Sequence, residues 1–144
     1  MLYNAKDVAK YVLRKCTEHD SPISNLQLQK ILYFLQRDFL QTTGRPLFRD
    51  EIEAWQFGPV VPTVYYEYCS YGANPIVKFL DSYASLLSAD VRKIVDPVIE
   101  DKRKKYPWDL VDEAHKPGGA WAYIYANGNG NHRVIPIDLI REKG

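Results

Sequence analysis

The sequence lacks a surplus of either charge, a set of cysteines and any long apolar run. Its 144 residues carry 19 Lys and Arg against 18 Asp and Glu, a net charge of +1. A protein held mainly by phosphate contacts needs a cationic surplus, and an acidic disordered chain needs an anionic one. Neither class fits. Two cysteines, Cys16 and Cys69, do not make a disulfide framework. Both fall in helix-like apolar segments, so two buried thiols are expected. No stretch approaches the ~18 uninterrupted apolar residues of a membrane span. The opening Met1-Leu2-Tyr3-Asn4-Ala5-Lys6-Asp7 has no basic region followed by an apolar one, so no signal peptide is expected. The expected compartment is the cytoplasm. Internal repeats, long linkers and domain-sized charge blocks are also missing, which points to a single domain over residues 1–144.

What the sequence does have is tyrosine. There are 11, against 5 Phe and 3 Trp. Four lie between residues 65 and 71, and three more, Tyr106, Tyr123 and Tyr125, surround Trp108 and Trp121. Tyrosines that do not all enter a core put amphipathic rings on a surface, and interfaces favour such rings.

Helical signals dominate. Asn4 caps an expected first helix whose Ala5, Val8, Ala9, Val12, Leu13 and Cys16 recur at helical spacing. Ser24 with Gln27 three residues later forms a capping box for a second. Its stripe of Leu28, Ile31, Leu32, Leu35 and Phe39 is widened by Tyr33, Phe34 and Leu40, so this helix is expected to be central. Gly44 and Pro46 stop it. From Leu47 to Phe57 the period changes, and Glu53, Trp55 and Phe57 share one side of an expected strand that ends at Gly58-Pro59. Pro62 opens a third helix, closed by Gly72, and Asn74-Pro75 starts a less regular stretch. Ser88 caps a fourth helix, which Pro97 is expected to kink or divide. A short helix from Pro107 to His115, a brief aromatic one from Ala120 to Ala126, a strand over 133–136 and a terminal helical turn over Ile137–Lys143 complete the reading. The expected fold is mainly α, one compact helical domain with a small β element near 47–57 and 133–136.

Chemistry-bearing patterns are weak. Gly128-Asn129-Gly130 lacks a Lys-Ser/Thr pair and reads as a turn. Cys16 and His19 have C-x-x-H spacing, but His115 and His132 are solitary and supply no second ligand pair for zinc. Neither cysteine stands at a helix N-terminus or beside a Gly-rich turn that would activate it as a nucleophile. Glu51/Glu53 and Asp112/Glu113 read as ordinary surface acids. Lys102-Arg103-Lys104-Lys105 is a single basic cluster at a helix C-terminus, where cations suit the dipole. No catalytic residue, cofactor site or metal site is expected.

The most specific stretch runs through Gln29-Lys30-Ile31-Leu32-Tyr33-Phe34-Leu35-Gln36, Gly44-Arg45-Pro46-Leu47-Phe48 and Ile52-Glu53-Ala54-Trp55-Gln56-Phe57-Gly58-Pro59-Val60-Val61-Pro62-Thr63-Val64-Tyr65. Here the sequence resembles the Panacea antitoxin family, also called the SocA-like or phage-associated GepA-like domain. The resemblance extends from residue 5 to 125, through Asp7 to Leu13 and through Leu110 to Trp121. It departs from the family pattern at Gly119-Ala120-Trp121, where the family usually reads Pro-Trp. It implies an antitoxin of a toxin–antitoxin or phage-associated system that neutralises a cognate protein toxin, encoded by an adjacent gene, by binding it. The partner-binding residues it suggests are Trp55, Phe57, Gly58, Pro59, Val60, Tyr65 and Tyr68, with His115 and Trp121. On a helix Tyr66 lies about 100° from Tyr65, so the tyrosines of this region do not all enter one core. Two alternatives stand beside this reading. One is a DNA-binding autoregulator of its own operon, resting on the Lys102 to Lys105 cluster. The other is a small hydrolase or nuclease, resting on isolated histidines and acids.

Overall fold

The computed structural model describes residues 2–78 and 86–144. The irregular stretch expected after Asn74-Pro75 falls partly on residues 79–85, outside the described residues. Seven α-helices and three short strands follow in the order α1 (Ala5–Glu18), α2 (Asn25–Thr43), β1 (Glu53–Trp55), β2 (Gly58–Val60), α3 (Pro62–Tyr68), α4 (Ala89–Lys102), α5 (Pro107–Ala114), α6 (Ala120–Tyr125), β3 (Arg133–Val134) and α7 (Ile137–Lys143). The fold is mainly α with a small antiparallel sheet, as the sequence pattern predicts. None of the described helices is long and apolar enough to cross a membrane.

Local signals act as their chemistry requires. The Asn4 side chain accepts from the Asp7 amide at 2.8 Å, and the Ser24–Gln27 capping box closes in both directions. Gly44, in the left-handed region at φ 76°, ends α2 with its amide on the Leu40 carbonyl. Because α2 is apolar on several sides, it packs centrally and contacts α1, α3, α4, α5, α7 and β2. Leu28, Ile31, Leu32 and Leu35 are all buried in the core that these elements share.

Four polar side chains of α2 are buried as well: Asn25, Gln29, Lys30 and Gln36. Each is hydrogen-bonded, and together they tie the 47–48 segment, the hairpin and α3 to the central helix. Gln36 accepts from the Leu47 and Phe48 amides at 2.8 and 3.2 Å and donates to the Phe48 carbonyl at 2.9 Å. This is why the expected strand does not begin at Leu47: the amides of Leu47 and Phe48 are engaged by a side chain rather than by a ladder.

Strand β1 is the middle of the sheet, with β2 on one side and β3 on the other, both antiparallel. Ile52 and Ala54 are buried while Glu53 and Trp55 are half-buried, the alternation expected of a strand with one face on the core. Other local features differ from the sequence expectations. Gly58-Pro59 does not end the β element; Gln56-Phe57 makes the turn, and Gly58–Val60 returns as the second strand of a hairpin. Of the two outcomes expected at Pro97, division does not occur: the residue lies inside α4, which runs on to Lys102. Pro97 faces solvent, opposite the buried Val95 and Ile99, so water can reach the carbonyl it leaves without a partner. Cys69 is exposed, because α3 ends at Tyr68 and the backbone goes on as a surface 3-10 turn; of the two cysteines, Cys16 alone is buried. The expected turn over Ile137–Lys143 is a full short helix.

Candidate functional site

The β1–β2 hairpin, the start of α2, α3 and its following turn, and the loop before β3 enclose a cavity of about 470 Å³. Its walls include Trp55, Phe57, Val60 and Tyr65, four of the residues singled out from sequence. They also include Asn25, Leu26, Gln29, Lys30, Cys69 and His132, which sequence reasoning does not assign to a site.

The aromatic wall is built from three elements. Trp55 packs edge-on to Tyr65 with ring centroids 4.9 Å apart. His132 stacks on the Trp55 ring at 4.4 Å, with an interplanar angle of 6°. His132, solitary in the sequence, is brought there because its amide donates to the Ala54 carbonyl at 2.7 Å. The Trp55 indole donates to Glu53 at 3.0 Å, which fixes the ring. At the hairpin tip Phe57 meets Trp108 of α5 edge-to-face at 5.7 Å. Phe57 is 50% exposed, Trp108 58% and Tyr66 63%, so rings in contact with the hairpin residues Trp55 and Phe57 face solvent.

The floor is polar. The Gln29 side chain accepts from the Val61 amide at 2.8 Å and donates to Asn25 at 2.9 Å, and Asn25 donates to the Tyr65 carbonyl at 3.2 Å. Lys30 is fully buried, and its Nζ donates to the Pro59 carbonyl oxygen at 3.0 Å. Burial pushes the Lys30 pKa down to about 7. The lysine passes directly over Gly58: a Cβ there would stand 2.7 Å from Lys30 Cε, and the Gly58 φ is +116°. Glycine is therefore required at this position on two counts.

The other residues singled out from sequence lie behind this surface. Gly58 and Pro59 are buried in β2 beside Val60, and Tyr68 turns into the core. Trp121 is buried, stacks on His115 at 3.7 Å and on Tyr125 at 4.7 Å, and donates its indole N–H to the Trp55 carbonyl at 2.7 Å. His115 and Trp121 do not line the cavity; they brace the hairpin that does. Burial, and then the nearby Lys30 amine, hold the His115 pKa below its ordinary value.

The basic cluster is internally engaged. Arg103 grips Glu100 with two hydrogen bonds of 2.8 Å, Lys104 pairs with Glu100 at 3.0 Å, Lys102 pairs with Glu113 at 2.6 Å, and Lys105 also pairs with Glu113. Lys102 is buried besides, its amine 4.4 Å from the centre of the Phe34 ring. Lys102 and Lys105 thus tie the end of α4 to α5 through Glu113, while Arg103 and Lys104 fold back on Glu100 of α4, so all four cations are already engaged with carboxylates.

A family model described as "Antitoxin SocA-like, Panacea domain" matches residues 28–122, a span that holds most of α2, the hairpin and the stacked His115 and Trp121, and ends before Tyr125 and His132. The protein named "Antitoxin SocA" from Caulobacter vibrioides (strain NA1000 / CB15N) is 36% identical over 146 aligned positions, covering 94% of this chain and 77% of that relative. No solved structure matches the sequence significantly.

Proposed function

Because the chain belongs to the SocA-like antitoxin family that carries the Panacea domain, we propose that it neutralises a cognate protein toxin by binding it directly, without catalysis, through the face formed by the β1–β2 hairpin and the rings around it. The observation that carries this reading is the exposure of Phe57, Tyr66 and Trp108, Phe57 lining the cavity, Trp108 packing on Phe57 and Tyr66 lying against the Trp55 wall. Large exposed rings held by a rigid frame are the side chains that dominate protein–protein binding. Phe57, Tyr66 and Trp108, with Trp55 and Tyr65 behind them, are the contact residues in this reading. Gly58, Pro59, Val60, Tyr68, His115 and Trp121 serve it indirectly, by fixing the hairpin and the helix from which those rings project.

The frame suits the task. The buried hydrogen bonds from Gln29 and Lys30 to Val61 and Pro59 lock β2 to the central helix, so little order has to be acquired on binding. Co-expression with the product of the adjacent reading frame tests the reading. Growth is expected to be restored and the two proteins to co-purify, and both effects are expected to be lost with Phe57→Ala and Trp108→Ala together. Neutralisation that survives the double substitution would overturn the assigned face.

A further inference from the structure

The walls of the cavity that a guest can touch are apolar or aromatic, with carboxamides among them. Leu26, Trp55 and Tyr65 are half-buried and Phe57 is exposed, so an aliphatic side and three rings stay accessible. Gln56 and Asn131, both exposed, supply the carboxamides. Among the described residues no carboxylate lines the cavity. Its lysine, Lys30, is fully buried with the amine on the Pro59 carbonyl and offers a guest no cation. A cationic guest would give up its hydration without a carboxylate in exchange, and an anionic one without a reachable lysine or arginine. An uncharged apolar guest meets neither cost.

Among uncharged guests the walls favour a ring. Aromatic pairs that meet edge-on or offset gain more than the area they bury, and Trp55, Phe57 and Tyr65 give a guest three partners of this kind. The carboxamides of Gln56 and Asn131 accept from an indole N–H or a phenol O–H, which an aliphatic side chain lacks. The volume of about 470 Å³ falls within the range of ligand pockets, and an isobutyl group would leave more of it empty than an indole. The aromatic surface also continues beyond the cavity. Trp108 meets Phe57 at 5.7 Å and Tyr66 lies 6.2 Å from Trp55, both are more than half exposed, and neither lines the cavity. A free small molecule in the cavity would leave these outer rings in water, whereas a protein that inserts one side chain covers them with the surface around it.

We propose that the cavity is the seat of one uncharged aromatic side chain of the protein partner, held among Trp55, Phe57 and Tyr65, with the partner surface around it resting on Tyr66 and Trp108. The proposal rests on the partner-binding reading of this face and adds to it the chemistry of one anchor.

Titration of the isotope-labelled protein with N-acetyl-tryptophanamide, followed by NMR, tests the cavity without any toxin. The Trp55 indole and the amides of Cys69, Ala73 and Asn131 are expected to shift saturably, with half the effect at about 10 mM or below. The corresponding leucine, arginine and glutamate amides are expected to shift them less. No saturable shift with the tryptophan amide, or an equal one with any of the other three, would overturn the anchor assignment. The toxin supplies the second arm. Cys69 is exposed and lines the cavity from the turn after α3, whereas Ser70 on the same turn does not line it. Cys69→Phe fills the space without touching the buried frame and, once verified as folded by circular dichroism, is expected to lose the toxin in co-purification. Ser70→Phe adds the same ring outside the cavity and is expected to retain it. Retention of the toxin by Cys69→Phe would overturn the anchor and leave capture by the exposed rings standing. Saturable binding of the tryptophan amide by a natural protein that captures no toxin would overturn the partner as the source of the ring.

Discussion

Lys30 and Pro59 are joined by a hydrogen bond of 3.0 Å from the lysine Nζ to the proline carbonyl oxygen, and both residues are buried. The contact ties the central helix to the second strand of the hairpin. It also places an amine where its charged form has lost most of its hydration, and that has a measurable consequence for stability.

In the folded protein the Lys30 pKa is about 7, against 10.5 when exposed. Between these values the unfolded state binds more protons than the folded one, so stability rises with pH across the interval. The interval is clean from about pH 7 to pH 8.5. His115 is depressed below 6.5 and acts at lower pH, while the Cys16 thiol, raised from 9.0 to about 12, lowers stability only above that window. Urea midpoints are expected to climb from pH 7 to 8.5 in the natural protein and to stay level in Lys30→Met. A rising midpoint in the variant would assign the slope to another group.

Gly44 and Gly58 both have positive φ, 76° and 116°, but only Gly58 has a neighbour in the way. Gly44→Ala is expected to cost about 1 kcal/mol, the ordinary strain of a left-handed alanine. Gly58→Ala meets a φ farther from the left-handed region that alanine reaches and also drives a methyl against Lys30 Cε. Its loss of stability in urea titration is expected to exceed that of Gly44→Ala, and equal losses would show that Lys30 moves aside freely.

Gln29 holds the buried Val61 amide. Gln29→Leu leaves that donor without a partner and removes the link to Asn25, so a destabilisation of about 1–3 kcal/mol is expected from equilibrium unfolding. A neutral result would mean that the start of α3 repacks around the leucine.

Glu100 and Glu113 hold all four cations of Lys102 to Lys105. Side-chain hydrogen bonds from Arg103 and Lys104 keep the Glu100 carboxyl down at about 2, so the Glu100 pairs persist through the neutral range. A gel-shift with promoter DNA is expected to show no binding even at low salt. The double variant Glu100→Gln, Glu113→Gln frees the cluster and is expected to acquire weak binding that falls steeply with salt. A salt-sensitive shift by the natural protein would revive the operon-autoregulator reading.

Much of the fold is legible in the sequence because it depends on local rules. The Asn4 and Ser24 caps, the Gly44 stop and the all-round apolarity of α2 each act within one or two helical turns. The hairpin is harder to read, since Gly58-Pro59 carries turn chemistry and becomes a strand only by pairing with β1. Cys69 misleads because its apolar neighbours belong to a helix that stops one residue earlier. The site is half legible. Trp55, Phe57 and Tyr65 stand out as aromatics beyond any core stripe, whereas His132 joins them through a backbone bond to Ala54, 78 residues away in sequence. Lys30 carries a weaker signal of its own: with Gln29 it falls among the apolar positions of α2 rather than with Gln27, Arg37, Asp38 and Gln41 on its outer side.

Capture of the toxin by the ring-lined hairpin face is the central claim. Its most direct measurement is co-purification of the toxin from the adjacent reading frame with two variants in parallel, Phe57→Ala with Trp108→Ala on that face and Lys10→Ala with Glu18→Ala on exposed positions of α1. The account predicts that the first variant, though folded, releases the toxin and fails to restore growth, while the second behaves as the natural protein. Retention of toxin by the first, or its loss only from the second, would contradict it.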